Sequence, residues 1–414
     1  MKNRLSLISL LLFPFLLNST ELKIASYNVE NLFDMQYDKT EYNQYIPNRD
    51  NWTKKILAKK LKNISEVICE LDADIIGLQE IENKNALNLL QKSLKKYGCN
   101  YRYSAITSKK STAIQVAILS YIPIKNHQEI VVKRAGGMRN ILEAKFRIED
   151  RPLYIFVNHW NSKQSPESKR ISSALALKKR LLSLPKESEY ILLGDFNSNY
   201  NEHKRVGKTG INHILNSMLF REKSMRKSSE FRHYNLWLEL LPYQRWSHNF
   251  YGDRQGLDAI LLPSTLFNGR GLDYLDNSFK VFKRNYLFTK KGYVNRWQYK
   301  KKRHLGRGYS DHFPIFATFS TLPYKFKKEN PIKNCSIKNL LQKNPYMPCH
   351  LKRVKIVSTK KRAVTIEDKS GKIIIYGTDK SIKKNRLYNI DIYATKIYKG
   401  EYEIIDFTMN LIDN

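Results

Sequence analysis

The sequence predicts an α/β chain: a two-sheet α/β sandwich with helices outside, followed by a small C-terminal β-barrel. Three observations carry that expectation. Apolar runs of strand length recur through residues 22–320, separated by stretches of helical spacing in mixed order. Most of these runs finish in polar side chains, which gathers the polar residues at one rim of a packed pair of sheets. Between Thr321 and Asn334 the composition turns to Lys, Pro and Asn, as in a linker. Beyond it, about 60 residues hold five short strands, and closing them into a barrel removes exposed edges.

The first residues stand apart. Lys2 and Arg4 precede an apolar run, Leu5 to Leu17, and then Asn18-Ser19-Thr20. That is the grammar of a signal peptide over residues 1–20, and the run is short for a membrane span. A retained N-terminal anchor is the competing reading. No later stretch is long and apolar enough to span, so the mature protein is expected to be exported, periplasmic or secreted. With 414 residues, one large and one small domain are expected: 21–320 and 351–414, joined by 321–350.

Along the first domain, Leu22–Val29 alternates as a strand and delivers Asn28 and Glu30 at its end. From Thr53 to Leu71 apolar residues recur at helical spacing, with Lys on the other side. Asp74–Leu78 is a buried strand leading to Gln79-Glu80. A helix over 86–96, strands near 101–106 and 113–120, and an antiparallel pair, 141–148 and 153–157, follow; the last leads to Asn158-His159. A helix over 168–184 precedes Tyr190-Ile191-Leu192-Leu193-Gly194-Asp195-Phe196-Asn197, a strand turned at a glycine so that Asp195 and Asn197 share one side. Residues 200–250 resist assignment. Asp258 lies in the apolar run 256–262, and Ser310-Asp311-His312 precedes a last strand, 315–319.

The four cysteines allow Cys69–Cys99 and Cys335–Cys349 to pair in an oxidising compartment, or leave Cys69 packed beside a helix. No CxxC or Cys/His spacing suggests a zinc site. The charge is the strongest compositional signal. Against 73 Lys+Arg stand 38 Asp+Glu, a net +35, which calls for a polyanionic partner, nucleic acid or an anionic membrane surface.

Taken together, Tyr27-Asn28-Val29-Glu30, Gln79-Glu80, Asn158-His159, Gly194-Asp195-Phe196-Asn197, Leu257-Asp258 and Ser310-Asp311-His312 resemble the endonuclease/exonuclease/phosphatase superfamily, in its chain order, over roughly residues 22–320. The resemblance implies a metal-dependent phosphodiesterase. Glu80 is then the foremost ligand of Mg²⁺ (or Mn²⁺ or Ca²⁺), with Asn28, Glu30 and Asp311 close by. Asp195 orients or deprotonates the attacking water, and Asn197 donates to a phosphate oxygen. His312 holds a proton or contacts phosphate with Asp258 on its other ring nitrogen, and His159 is the second imidazole. Each lone histidine, outside such a set, reads as a structural hydrogen bond. Arg139, after Gly136-Gly137, and Lys163 are phosphate-binding candidates, or solvated turn residues.

Substrate class comes from elsewhere. Residues 279–303 contain ten Lys/Arg, seven aromatics and no acid, and include Arg296 and Trp297 as candidates for phosphate and base contact. The C-terminal strand order resembles an OB barrel, and residues 331–414 carry 17 Lys+Arg against 8 Asp+Glu. A monomeric DNA endonuclease of low sequence specificity, with RNA as a further substrate, is the expectation. The alternatives are a sphingomyelinase-type lipid phosphodiesterase, for which no apolar insertion hairpin is evident, and a non-catalytic nucleic-acid-binding protein on this scaffold.

Overall fold

Alternating side chains make the first strand, β1 (Glu21–Leu32), two-faced. Leu22 and Ile24 enter one core, while Ala25, Tyr27 and Val29 enter another. The first core fills the space between two sheets and also takes in a helix of the second sheet's layer; the second lies between the first sheet and helices. In this computed structural model the described residues are 20–133, 136–218, 225, 230–250, 252–322, 332–342, 348–360, 363–376, 378, 382–398 and 400–412. The signal-peptide expectation, Thr20 apart, falls outside them.

In chain order follow α1 (Lys54–Leu71), β2 (Ile75–Ile81), α2 (Lys84–Lys96), β3 (Tyr103–Ile106), β4 (Gln115–Ser120), β5 (Asn126–Ile130), β6 (Ile141–Ile148) and β7 (Arg151–His159). Then come α3 (Glu167–Leu182), β8 (Glu189–Asp195), β9 (Tyr234–Asn235), a hairpin β10–β11 (His248–Phe250, Asp253–Gln255) and β12 (Asp258–Leu262). The domain closes with β13 (Asp273–Tyr274), β14 (Lys280–Val281), a hairpin β15–β16 (Tyr299–Lys300, Arg303–His304) and β17 (Ile315–Ser320). The first sheet has the order β13-β17-β1-β2-β4-β3, with β14 also on β17, and the second β5-β6-β7-β8-β12-β9. The two-sheet α/β sandwich is therefore the observed architecture.

Helix α1 starts at Thr53, whose side chain accepts the Ile56 N–H, and stops at Asp72 in a left-handed conformation. It packs with α2 over the outer face of the first sheet, and α3 buries Ala174, Leu177 and Leu181 in the other core. Gly77 lets the sheets close: a Cβ there would lie 2.3 Å from Leu193 Cδ1 of β8. Two elements depart from expectation. Strand β5 is largely exposed and polar, so no apolar alternation marks it. Lys60, assigned to the solvent side of α1, is fully buried; it stands one turn from both Ile56 and Ile64, on the apolar face.

Both cysteine pairs are disulfides, with Cα–Cα distances of 5.5 Å for Cys69–Cys99 and 5.8 Å for Cys335–Cys349. The C-terminal unit begins earlier than residue 351. A short strand β18 (Lys333–Asn334) pairs with β19 (Cys349–Lys360), and α4 (Ile337–Leu340) buries Ile337 and Leu340 in the same small core. The linker expected over 321–350 thus gives part of its length to this unit. Strands β20 (Ala363–Asp368), β21 (Gly371–Tyr376), β22 (Leu387–Tyr398) and β23 (Glu401–Leu411) complete it. The ladders run β19-β20-β21-β23-β22, and β19 pairs with β22 as well, so each of the five has a partner on either side. The parallel β21–β23 ladder is only two residue pairs long. Lys204 touches this unit: its Nζ donates to Ile405 O at 3.2 Å and lies 4.8 Å from the Phe407 ring centre. Among the described residues no helix is long and apolar enough to cross a membrane.

Candidate active site

Two parallel strand pairs, β1–β2 and β7–β8, end at one rim, and the backbone leaves its regular register there. Pairing of β1 with β2 stops at Asn28–Gln79 and resumes at Leu32–Ile81. Inside this bulge Glu30 (φ 53°), Asn31 (φ 62°) and Glu80 (φ 67°) are left-handed, as is Asn197 (φ 47°) beyond β8. Side-chain-bearing residues seldom take that conformation, and it concentrates where a side chain must be aimed off its strand.

The aim is shared. Asn28 Nδ2 donates to Glu80 Oε1 at 3.0 Å and to Asp195 Oδ2 at 3.2 Å, joining the two sheets. Its Oδ1 accepts the Glu30 N–H at 3.0 Å, which fixes the amide with its donors toward the carboxylates. Asp195 Oδ1 accepts the Asn197 N–H at 2.8 Å. His159 Nε2 lies 3.6 Å from Asp195 Oδ2 and 3.8 Å from Glu80 Oε1, and its buried Nδ1 has no hydrogen-bond partner. His312 Nδ1 donates to Asp258 Oδ2 at 2.7 Å, and its Nε2 faces Asp195 Oδ2 at 3.9 Å. Asp258 stands opposite Asp195 on the β12–β8 ladder.

Electrostatics separates these groups by role. Burial drives the Asp195 carboxyl up to about 7, with His312 pulling it down and Asp258 and Glu80 pushing it further up. Burial, then the Asp311 charge, also raises Glu80, while Asn28, His312 and Arg139 pull it the other way. For His312 burial opposes the charge, yet Asp258, Asp195 and Asp311 outweigh it and hold the ring as imidazolium. His159 has no such partner. Burial, then Arg139 and His312, push it far below the ordinary range, so it is neutral.

Asp311 and Arg139 complete the rim. Burial would raise Asp311, but His248 (3.8 Å), His312 and Arg296 (3.2 Å) prevail and hold it well below the usual carboxylate range. Arg139 donates from Nε to His159 O at 2.9 Å and from Nη2 to Trp160 O at 2.7 Å, and its charge is felt by Glu80 and Asp195. Asn197 also gives one amide hydrogen to Trp160 O, at 3.0 Å.

Four candidates take positions other than those expected. Asn28 presents its NH₂ to the carboxylates, so it holds Glu80 and Asp195 rather than ligating a cation. Glu30 turns away: Oε1 accepts from Arg296 Nε at 3.0 Å and Oε2 from Trp297 N–H at 3.1 Å. Trp297 is 3% exposed, its Nε1 bonded to His304 Nδ1 at 3.0 Å, so its ring does not face a substrate. Lys163 is paired with buried Glu202 at 3.0 Å. Arg296, bound to Glu30 and Asp311, links the basic stretch to the rim.

Three contributors escaped sequence reasoning. Ser247 donates to Asp258 Oδ2 at 2.5 Å. His248 bridges to His312 in β fashion, with ring centres 4.6 Å apart. Lys60 Nζ donates to Glu30 O at 2.8 Å and Tyr309 O at 3.2 Å, pinning the bulge to the chain before Ser310. The helical period around Ile56 and Ile64 signalled Lys60; the 200–250 region offered no period to signal the others.

The donor set fits a hard divalent cation. Glu80, Asp195, Asp258 and Asp311 gather at one rim, where burial first, and the neighbouring carboxylates after it, make charge on Glu80 and Asp195 costly, a cost that a bound cation relieves. Asp195, Asp258 and His312 do offer ligand atoms within 4.8 Å of one another. Asp258 and His312 are bonded to each other, while Glu80 is a partly exposed carboxylate 3.8 Å from His159, so Glu80 is placed to serve as a holder of the cation alongside Asp195 or Asp311.

A model of the endonuclease/exonuclease/phosphatase family matches residues 23–321. Among solved structures, a humanized D. rerio TDP2 is 16% identical, with a TM-score of 0.48, over 72% of this chain and 98% of its own. An endonuclease/exonuclease/phosphatase family protein from Bacteroides thetaiotaomicron is 15% identical, with a TM-score of 0.48, over 73% and 98%. The beta toxin of Staphylococcus aureus is 18% identical, with a TM-score of 0.45, over 72% and 99%. No curated protein matches the chain. The family match spans both sheets and every residue that converges on the rim, and the chain belongs to the endonuclease/exonuclease/phosphatase family.

Proposed function

We propose that the chain is an exported, Mg²⁺-dependent endonuclease that hydrolyses phosphodiester bonds of DNA with little sequence preference. Family membership supports phosphoester hydrolysis. The observation that carries the reading further is the setting of Asp195, with Asn28 at 3.2 Å, neutral His159 at 3.6 Å and the Asp258-locked His312 at 3.9 Å.

Bound Mg²⁺ would supply Lewis-acid charge to a phosphate oxygen and the leaving alkoxide. Glu80 and Asp311 would hold it. Asp195, poised near neutrality, takes the proton of the attacking water. The His312 imidazolium gives its Nε2–H to a phosphate oxygen, while Asp258, steadied by Ser247, keeps Nδ1–H occupied. Neutral His159 offers Nε2 toward the same oxygens. Asn197 has a second amide hydrogen to donate without adding negative charge.

DNA is favoured by the charge and its location. Residues 279–303 lie beside the rim through Arg296, with Tyr293 and Tyr299 exposed for base contact. We read the 349–411 strands as an OB-type module that adds backbone contacts. Such contacts position without reading sequence. The mature chain acts as a monomer.

Plasmid nicking tests the assignment, run in Mg²⁺ and in EDTA, with single-stranded RNA and sphingomyelin as comparison substrates. Asp195→Asn should melt no lower than wild type and nick about 10³-fold more slowly, the scale of lost acid–base catalysis. Nicking by that variant at the wild-type rate, or cleavage of sphingomyelin in preference to DNA, would defeat the proposal.

A further inference from the structure

Two residues past Glu80 the chain forms another acidic cluster, which the reaction does not use. Glu82 is 4% exposed. Its Oε2 accepts the Asp34 N–H at 2.7 Å, and its Oε1 is buried with no hydrogen-bond partner. Residues 34–41 fold back over it. Glu41 accepts the Asp38 N–H on Oε1 and keeps Oε2 buried and without a partner. Asp38 Oδ2 accepts from Asn83 Nδ2 at 3.0 Å. One carboxylate oxygen from each of Asp38, Glu41 and Glu82 lies within 4.8 Å of the other two.

No base answers this charge. Among the described residues, no Lys, Arg or His is ion-paired with Asp34, Asp38, Glu41 or Glu82. In a chain with 73 Lys+Arg, a site without one is conspicuous. Two buried oxygens of the cluster, Glu41 Oε2 and Glu82 Oε1, are thus left with neither a donor nor a cationic side chain, an unmet need for a partner.

We propose that Asp38, Glu41 and Glu82 bind a structural Ca²⁺ ion at a site distinct from the catalytic centre. The donors are all hard oxygens, one deeply placed and one exposed, so water can complete the larger and more tolerant shell that Ca²⁺ takes. The ion's role is local. It fastens residues 34–41 to the end of β2, and with them Tyr42, whose neighbours Asn31, Glu41, Asn43 and Gln44 line a groove of about 550 Å³. Asn31 belongs to the bulge between Asn28 and Leu32, and Tyr42 lies within electrostatic reach of Glu80 and Arg139, so the fastened loop borders the reacting centre.

Thermal melts of the full chain, stripped with chelator and then given about 10 mM Ca²⁺, test the site at concentrations suited to open, water-completed sites. Wild type and Glu80→Gln should both gain about 2–4 °C on Ca²⁺ addition. Asp38→Asn with Glu41→Gln, made in the Glu80→Gln background so that the catalytic centre does not contribute, should lose that gain. In chelator this double variant should melt at or above its Glu80→Gln parent, because repulsion is relieved, which separates a lost site from a damaged fold. No gain in wild type, an undiminished gain in the double variant, or a double variant that melts lower in chelator would each overturn the proposal.

Discussion

Glu80 shows what the site asks of one residue. Its backbone is left-handed, its carboxylate is largely withdrawn from water, and Asp311 adds a like charge. The folded state therefore holds the Glu80 proton to higher pH than the unfolded chain does. Stability from this difference is present below the unfolded carboxylate pKa and is lost as pH rises through the raised folded value. Glu80→Gln, which cannot ionise, should be more stable than wild type in EDTA at pH 8, and this advantage should shrink at pH 5. Urea unfolding at the two pH values measures it; an advantage independent of pH would mean that Glu80 is not strained by its charge. Single residues were legible at most of the strand ends, though Asn28 and Glu30, read from the same pattern, took other roles. Asp195, Asp258, His159 and His312 meet as the motifs imply. Glu30 and Trp297 could not be read this way, because the partner that claims Glu30 comes from 266 residues away.

At the scale of elements, the parallel β7–β8 pair sets the geometry. Gly194 stands opposite Asn158, with φ at 131°, and a Cβ there would lie 2.1 Å from Asn158 O. Gly194→Ala must push the two strands apart exactly where Asp195 leaves the sheet, so it should cost about 3 kcal/mol in urea unfolding and impair nicking as well. A fully stable, fully active variant would show that the close approach is dispensable. Elements with strong periodicity were legible: α1 begins one residue after its capping Thr53, and β6 has the expected ends. Strand β5 and the 200–250 stretch were not, since an exposed polar edge and short helical turns leave no period to detect.

Taken whole, the molecule is a catalytic sandwich and a small β unit sharing a large positive charge. Neutralising many phosphates releases counterions, so DNA affinity should fall by about 10²-fold or more between 50 and 200 mM salt. A filter-binding or anisotropy titration checks this, and a flat response would count against a nucleic-acid substrate. The unit from β18 to β23 touches the sandwich through Lys204, and its removal should weaken DNA affinity more than it slows cleavage of bound DNA.

The rung that sets Asp195 against Asp258 continues inward as Gly194–Ala259, Leu193–Ile260 and Leu192–Leu261, all inside the apolar interior. Both faces of these two strands are buried, so a slip by a single residue would exchange side chains between two differently packed interiors and part the two acids in the same stroke. Chemistry and folding thus answer to one alignment: a chain that settles its interior correctly has already brought its acids into line, and a chain that does not is both unstable and inert.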